Sequence, residues 1–362
     1  MPPATSGSIT AFFLYDVAEA IDLAAVTGLV SATVPVLMAP KPQTPSYVAF
    51  KPPPISIEGR TVGVPDVEGF AVRFRLFDYG VVSVALTRAM PAAWDAFVVE
   101  GLNWHDHAGL AAGAERCCRA LVERISTALT RSRSEFLSED YLVFAMTDGS
   151  QTSATDLLTV HGAEIAQLLR GERELLSDPE RAEVLRHRLS YFATDLIVPT
   201  WNAAFVYDTE DAARAILDII EFANSQLLEF RYYDQLLDAQ LERIYPQLQQ
   251  ASGLQSWFGR RLTRAARQLH TLFIEVNEVT DKTENALKIA GDVYTARLFT
   301  LVAARLGLDD WKGSVREKLK TLDDIYRFAV EQTAMARGEL MELTIVLILV
   351  LELVLFFLGV MR

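Results

Sequence analysis

An apolar run near the C-terminal end of the sequence constrains this chain more than any other feature. Residues Leu343–Val360 read LTIVLILVLELVLFFLGV. Eighteen residues in a helix rise about 27 Å, close to the roughly 30 Å hydrocarbon core of a bilayer. A buried soluble helix of such a length usually keeps a polar side. The run therefore predicts one transmembrane helix at 343–360, acting as a C-terminal tail anchor.

One acidic residue interrupts this run. Fifteen Leu, Ile, Val or Phe residues favour insertion by about 4–9 kcal/mol, against roughly 3 kcal/mol for a central carboxylate. Three interpretations of the glutamate stay open: helix contact inside lipid, a tolerated protonated side chain, or a proton or ion pathway. The residues that share its helix face, at spacings of four, four, three and four, are Thr344, Ile348, Glu352, Leu355 and Gly359.

Composition and the N-terminal sequence predict where the remaining residues lie. At 362 residues, of which 51% are hydrophobic, the chain can build one large or two ordinary domains. Met1–Thr10 shows no signal or transit peptide, and the adjacent Cys117 and Cys118 form no CxxC motif. We therefore expect the bulk of the chain to face the cytosol from the cytoplasmic membrane. The net charge of −13 argues against broad nucleic-acid binding.

Strand and helix patterns alternate in the first half of the chain. In one strand candidate, apolar residues alternate with Arg73 and Arg75, the period of a half-buried strand. Helical patterns cover 92–131 and 156–170, and Asp178 with Pro179 opens another helix. These patterns predict an α+β fold class with a mixed α/β head over residues 1–209. The strand candidates are Ile9–Tyr15, Phe70–Leu76, Val81–Leu86, Tyr141–Met146 and Leu196–Tyr207.

Helical patterns dominate after Tyr207. One long helix is predicted to end near Gln249, and a second is predicted from about Ser256 to Leu306. Ser314 with Glu317 forms a capping box that predicts the start of a third helix. We therefore predict a helical bundle with a coiled-coil-like hairpin over 210–342, whose last arm continues into the anchor.

Short motifs of nucleotide-binding, metalloprotease and hydrolase sites are absent from the sequence. His105 and His107 flank Asp106, and such a cluster can ligate a metal. Without distant partner ligands, we interpret it as a solvated turn. We therefore expect no metal and no cofactor, and the sequence leaves open whether the protein is an enzyme.

A group of arginines lies within the predicted helical hairpin. Three of them share one helix face, which could contact the phosphate of RNA or of an anionic lipid. The alternative is that they pair with acidic side chains of neighbouring helices. The four arginines are Arg260, Arg261, Arg264 and Arg267.

Polar residues are concentrated within the long helix that follows Tyr207. Carboxylate, guanidinium and phenol groups at helical spacing can form a buried hydrogen-bonded network. They can also form an acid/base site. Both alternatives stay open, and the network joining helix to sheet is the default. The members are Glu221, Asn224, Glu229, Arg231, Tyr233 and Asp234.

Several segments, taken in order, resemble the required-for-meiotic-nuclear-division family. They are WNAAFVYD, EFANSQLLEFRYYDQLLD, ENALKIAGDVY and MELTIVLILVLELVLFF, and the likeness extends roughly from Tyr47 to Leu358. The resemblance implies an α+β domain, then helices and a C-terminal anchor. The mitochondrial member is associated with the inner membrane and supports organellar translation, whereas the bacterial branch has no established activity.

The sequence thus favours a membrane-anchored binding or scaffold protein. Such a protein would hold a cytosolic protein or ribonucleoprotein partner at the membrane, and a translation-related partner is the most concrete version. We expect it to form a homo-oligomer. The alternative hypothesis is an enzyme of unknown reaction whose site includes Glu229, Arg231, Tyr233 and Asp234.

Overall fold

The structure is a computed structural model that describes residues 6–30, 53–65, 67, 69–105, 107–147, 152–249, 274, 276 and 293–357. The described residues form two units. One takes its residues from Met1–Tyr232 and Val279–Trp311, and the other from Tyr233–Glu278 and Lys312–Arg362. The first unit is mixed α/β, and the described part of the second is helical.

Strands and helices alternate through the first unit, as the patterns predict. The strands are β1 Ser6–Asp16, β2 Ala20–Ile21, β3 Ile55–Glu58, β4 Ala71–Leu76, β5 Val81–Met90, β6 Leu129–Thr130, β7 Leu137–Thr147, β8 Leu196–Pro199 and β9 Ala203–Tyr207. The helices are α1 Leu23–Leu29, α2 Gly59–Val62, α3 Trp94–His105, α4 Ala108–Arg124, α5 Ala154–Arg170, α6 Asp178–Arg186, α7 Glu210–Gln249, α8 Val293–Arg305 and α9 Leu308–Phe357.

Seven of these strands form one sheet in the order β3-β4-β5-β1-β7-β9-β8. Neighbouring strands are antiparallel except β7 and β9, which run parallel, with Phe144 opposite Phe205. β1 lies in the middle, paired with β5 on one side and β7 on the other. Its continuous apolar sequence follows from this position, because a strand covered on both faces has no polar side.

One face of the sheet packs against the helices α3 to α6. Alternate residues of β1, including Ile9 and Phe13, lie in this core with Phe144 of β7. Close packing explains one glycine in α3: a Cβ at Gly101 would lie 2.5 Å from the Leu168 side chain. Large side chains fill this layer, and they make the first unit a domain with a substantial core.

The opposite face of the sheet contacts α7. Arg73 of β4 is 3.0 Å from Glu221 of α7, and the Tyr79 hydroxyl lies 2.7 Å from that of Ser225. The period-two pattern of β4 thus separates two faces as predicted, but its arginines point towards a helix. The sheet is therefore covered on both sides.

Two predicted element boundaries are wrong. The segment 196–207 is not one strand but the hairpin β8–β9, whose turn is held by the Thr200 hydroxyl bonding the backbone of Ala203. The capping box at Ser314 does not start a helix, because α9 begins at Leu308 directly after Gly307 ends the preceding turn with a φ of +66°. The hydroxyl of Ser314 instead donates to Asp234.

The predicted transmembrane anchor is wrong. Over the described ranges, no helix combines the length and apolar character needed to cross a bilayer. The transmembrane part of the fold class, the tail anchor and the localisation by a single C-terminal span are corrected accordingly.

The predicted hairpin helix over about Ser256–Leu306 falls mostly outside the described residues. Its end corresponds to α8. The division of the chain at 209 and 342 stays a prediction.

Candidate functional site

Polar side chains on one face of α7 are buried against the sheet, where apolar residues are usual. Asp218, Glu221 and Ser225 follow each other at spacings of three and four, which places them on one helix face. Glu221 and Ser225 are completely buried, and Asp218 is 9% exposed. We call the contact zone of these residues with the sheet the polar layer.

Two arginines of β4 neutralise the carboxylates of this layer. Arg75, whose side chain is 3% exposed, lies 2.6 Å from Asp218 and 2.7 Å from Glu221. Arg73 adds a 3.0 Å contact with Glu221. Burial alone would raise the pKa of Glu221, but Arg73 and Arg75 hold it below its ordinary value. The glutamate is therefore a buried anion paired with two cations.

A buried tyrosine continues the polar layer along α7. The Tyr79 hydroxyl, in the turn between β4 and β5, lies 2.7 Å from Ser225 Oγ and accepts from the side-chain amide of Gln226 at 2.8 Å. Burial, followed by the nearby charge of Glu229, raises the pKa of Tyr79 well above its ordinary value. The phenol is therefore a neutral hydrogen-bonding group at physiological pH.

The polar layer reaches two further strands near the middle of α7. Arg231 pairs with Glu139 of β7, and Arg133 donates to Asp16 of β1 at 2.7 Å. The Arg133 guanidinium also lies 4.0 Å from the ring centroid of Tyr232. Burial raises the pKa of Asp16 to about 6, although Arg133 opposes the shift.

Further members of the predicted network lie elsewhere along α7. Asn224 donates to the Ile220 carbonyl of its own helix, and Tyr233 is 8% exposed. In the helical unit, Asp234 accepts from Ser314 at 2.8 Å and from Lys318 at 2.7 Å. Two hydrogen bonds, to Asp234 and Asp238, raise the pKa of Lys318 even though desolvation lowers it.

Glu221, Arg231 and Asp234 of the predicted network therefore have ionic partners on different elements. Such pairs bind a helix to the elements packed against it by paired charges. Removing one partner of such a pair is costly because it leaves a buried charge uncompensated.

The sequence reasoning missed the arginines of β4 and the tyrosine of the following turn. The alternation of apolar and polar residues in β4 indicated a half-buried strand, but it did not reveal that Arg73 and Arg75 face a helix. The available signal was in α7, where apolar residues such as Ile220 and Phe222 surround polar residues spaced by three and four. A helix with apolar residues on several sides is buried on several sides, so its polar residues require buried partners.

The predicted C-terminal contact face is only partly described. Thr344, Ile348 and Glu352 are exposed, and Leu355 is half-buried. Gly359 lies outside the described residues, as do Arg260, Arg261, Arg264 and Arg267. Because the predicted span is wrong, contact of this face with another helix inside lipid is no longer proposed. That the face contacts another helix stays a prediction.

The His105–His107 segment, interpreted from the sequence as a solvated turn, joins two helices. His105 ends α3 and His107 precedes α4, where its ring lies 4.7 Å from that of Trp104. Asp106 lies outside the described residues. Within the described part of the chain, no group of three or more His, Cys, Asp or Glu residues could hold a metal ion.

The fold and the polar layer together define a mixed α/β domain whose sheet is covered by helices on both faces. A family described as "Uncharacterized protein MJ0711, N-terminal domain" matches residues 6–213. The chain belongs to this family. It is 24% identical over 227 residues to uncharacterized protein MJ0711 of Methanocaldococcus jannaschii, covering 63% of this chain and 68% of that protein. No solved structure matches the chain.

Proposed function

We propose that this chain is a binding and scaffold protein that assembles into a homo-oligomer through the C-terminal part of α9. One observation carries the proposal. Large apolar side chains are exposed on every side of this helix, each between 47% and 67%. We call them the apolar segment: Met341, Leu343, Ile345, Val346, Leu347, Ile348, Leu349, Val350, Leu351, Leu353 and Val354.

The energetics of the apolar segment favour association. Completely burying one such side chain contributes about 1.5–3 kcal/mol, and about half of each is still available. The segment therefore offers on the order of 10 kcal/mol per chain, comparable with the roughly 4–15 kcal/mol lost in translational and rotational freedom. Contiguous apolar surface of this extent marks an interaction site.

A second copy of the chain suits the apolar segment because the segment is apolar nearly all round. A groove on another protein covers one side of a helix, whereas a bundle of helices covers most of the circumference. Leu343, Leu347, Val350 and Val354 are spaced four, three and four apart, which is the a/d spacing of a helical bundle. Glu352 lies on the opposite face, where its carboxylate stays in water.

This contact face differs from the one predicted for a helix in lipid. In water, burying Glu352 between helices would cost more than exposing it. The face opposite Glu352 is therefore the better interface.

Two matched variants test the proposed interface, with the mass measured by multi-angle light scattering. The parent is expected to form a discrete multiple of 40.3 kDa. Val350→Glu should release single chains, whereas Ile348→Glu, beside Glu352, should keep the oligomer. Single chains or a polydisperse aggregate from the parent would overturn the proposal. An oligomer that survives both substitutions would overturn the assigned face.

The partner held by the assembled protein is the less specified part of the proposal. The resemblance to the required-for-meiotic-nuclear-division family supports a translation-related protein or ribonucleoprotein. Purification from the native host with and without ribonuclease, followed by mass spectrometry, tests this version. Recovery of ribosomal components only without ribonuclease supports it, and their absence in both samples contradicts it.

The contacts of the polar layer favour scaffolding over the enzymatic alternative. Arg231 and Asp234 are both engaged by charged side chains of the same chain. Groups held in this way stabilise the fold first, and a catalytic role for them would require these pairs to open.

A further inference from the structure

A small pocket lies at the start of α5, on the helical side of the sheet. Its apolar floor is formed by Ala154 and Leu158, and its polar walls by hydroxyl groups and one arginine. The volume is about 300 Å³, at the lower limit for sites that bind small molecules. The polar residues that line it are Thr155, Thr159, Arg188 and Ser190.

Among the described residues, no carboxylate pairs with the pocket arginine. Arg188 donates to the Leu185 carbonyl at 2.6 Å and forms no ion pair among the residues that the structure describes. Arg186, two positions earlier, pairs with Glu183. The Thr159 hydroxyl donates to the Thr155 carbonyl of its own helix. The exposed guanidinium beside the hydroxyl groups of Thr155 and Ser190 is a favourable set of donors for a phosphate.

Two largely exposed aromatic rings follow the pocket directly in sequence, and one of them, that of Tyr191, also lies 5.4 Å from the ring centroid of Tyr294. Tyr191 is 60% exposed and Phe192 is 68% exposed, with their rings 4.8 Å apart and perpendicular. Side chains of this kind are normally buried or partly covered. Their exposure is therefore a feature that needs an explanation.

A buried carboxylate fixes the backbone that presents these rings. Asp195, only 4% exposed, accepts from the backbone N–H groups of Tyr191 at 2.7 Å and Phe192 at 2.6 Å. The Ala154 N–H donates to the Ala193 carbonyl at 2.8 Å. This bond ties the aromatic loop to the first residue of the pocket, so pocket and rings belong to one surface.

We propose that this surface binds a nucleoside phosphate, either free or at the end of a single strand. The phosphate contacts Arg188 and the hydroxyl groups, and the base stacks on Tyr191 or Phe192. Stacking on aromatic side chains with phosphate contacts to basic ones is the general chemistry of single-strand recognition. A local site of this kind is compatible with the net charge of −13, which opposes only broad nucleic-acid binding.

Calorimetric titration of the full chain tests the proposal, with adenosine monophosphate and a short single-stranded oligonucleotide as separate ligands. Binding of the monophosphate identifies a free nucleotide, whereas binding of the oligonucleotide alone identifies a strand. Arg188→Gln and Phe192→Ala should each weaken binding about tenfold, as expected for a loss near 1.4 kcal/mol.

Each variant has a matched control in the same region. Arg186→Gln removes a nearby charge that is already paired, and Leu175→Ala removes an exposed apolar side chain, 79% exposed, outside the loop. Neither control should change the affinity. The proposal is overturned if neither ligand binds at millimolar concentration, or if Arg188→Gln and Phe192→Ala leave the affinity unchanged. It is also overturned if an acidic, aromatic tripeptide binds in the same titration while neither the monophosphate nor the oligonucleotide does.

Discussion

Replacing Glu221 by glutamine tests whether the polar layer holds α7 to the sheet. The substitution keeps the shape of the side chain and removes its charge, so Arg73 loses its ion pair with Glu221 and Arg75 keeps only the one with Asp218. Removing one partner of a buried ion pair costs about 3–5 kcal/mol. The lower value applies, because the Arg73 side chain is 25% exposed and is partly solvated.

We expect this loss to be visible in thermal unfolding followed by circular dichroism. For a domain of 150–250 residues, each 1 kcal/mol corresponds to about 2–4 °C in Tm, so Glu221→Gln should melt about 6–12 °C below the parent. The control Glu210→Gln removes the partner of Arg214 at the start of α7, where both side chains are mostly exposed. Its loss should stay within about 1 kcal/mol.

A double substitution separates pairing from simple loss of packing. Arg75→Met with Glu221→Leu removes both charges of one pair, so the double variant should lose less stability than the sum of the single variants. Equal melting of Glu221→Gln and Glu210→Gln, or strict additivity in the double variant, would refute the role assigned to the layer.

Three further predictions concern other buried groups. Arg231→Ala leaves Glu139 without its cation and should lower Tm by several degrees. Asp234→Asn should do the same, because it removes a carboxylate that pairs with Lys318; melting like the parent would contradict both. Burial raises the pKa of Asp16 from 3.8 to about 6, so its contribution to stability is present below about pH 4 and is lost as the pH rises through 6. As the pH rises from 4 to 7, the free energy of unfolding of Asp16→Asn should therefore increase by up to about 3 kcal/mol relative to that of the parent. A difference in Tm between the two proteins that does not change with pH would disprove this. Burial also raises the pKa of the Cys118 thiol, and both cysteines are completely buried; a thiol reagent should label them only after denaturation, and rapid labelling of the native protein would show that the site opens.

Local patterns in the sequence were sufficient for most of the α/β unit. The apolar run in β1 and the alternation in β4 both specify strands, because side-chain period is a property of neighbouring residues. The same alternation could not show what covers the second face. That depended on α7, which lies about 150 residues away in sequence, as the Arg73–Glu221 pair shows.

The site could be predicted only in part for the same reason. Glu221 and Arg231 stand out within a helical pattern, but their partners Arg73, Arg75 and Glu139 are on strands, and a single sequence does not pair distant charges. At the C-terminal end, hydropathy identified an unusual segment, but the predicted span is wrong, since no helix among the described residues is long and apolar enough to cross a bilayer.

The central place of β1 in the sheet has a consequence for the order in which the chain folds. Phe12 of β1 pairs with Tyr141 of β7, so about 130 residues must be synthesised between the two strands, which takes roughly 6–26 s at 5–20 residues per second. During this interval β1 can pair with β5 but has one open hydrogen-bonding edge. Contacts so distant in sequence slow folding, and an open apolar edge favours association with other chains. The nascent protein should therefore depend on chaperones more than its final, fully covered sheet suggests.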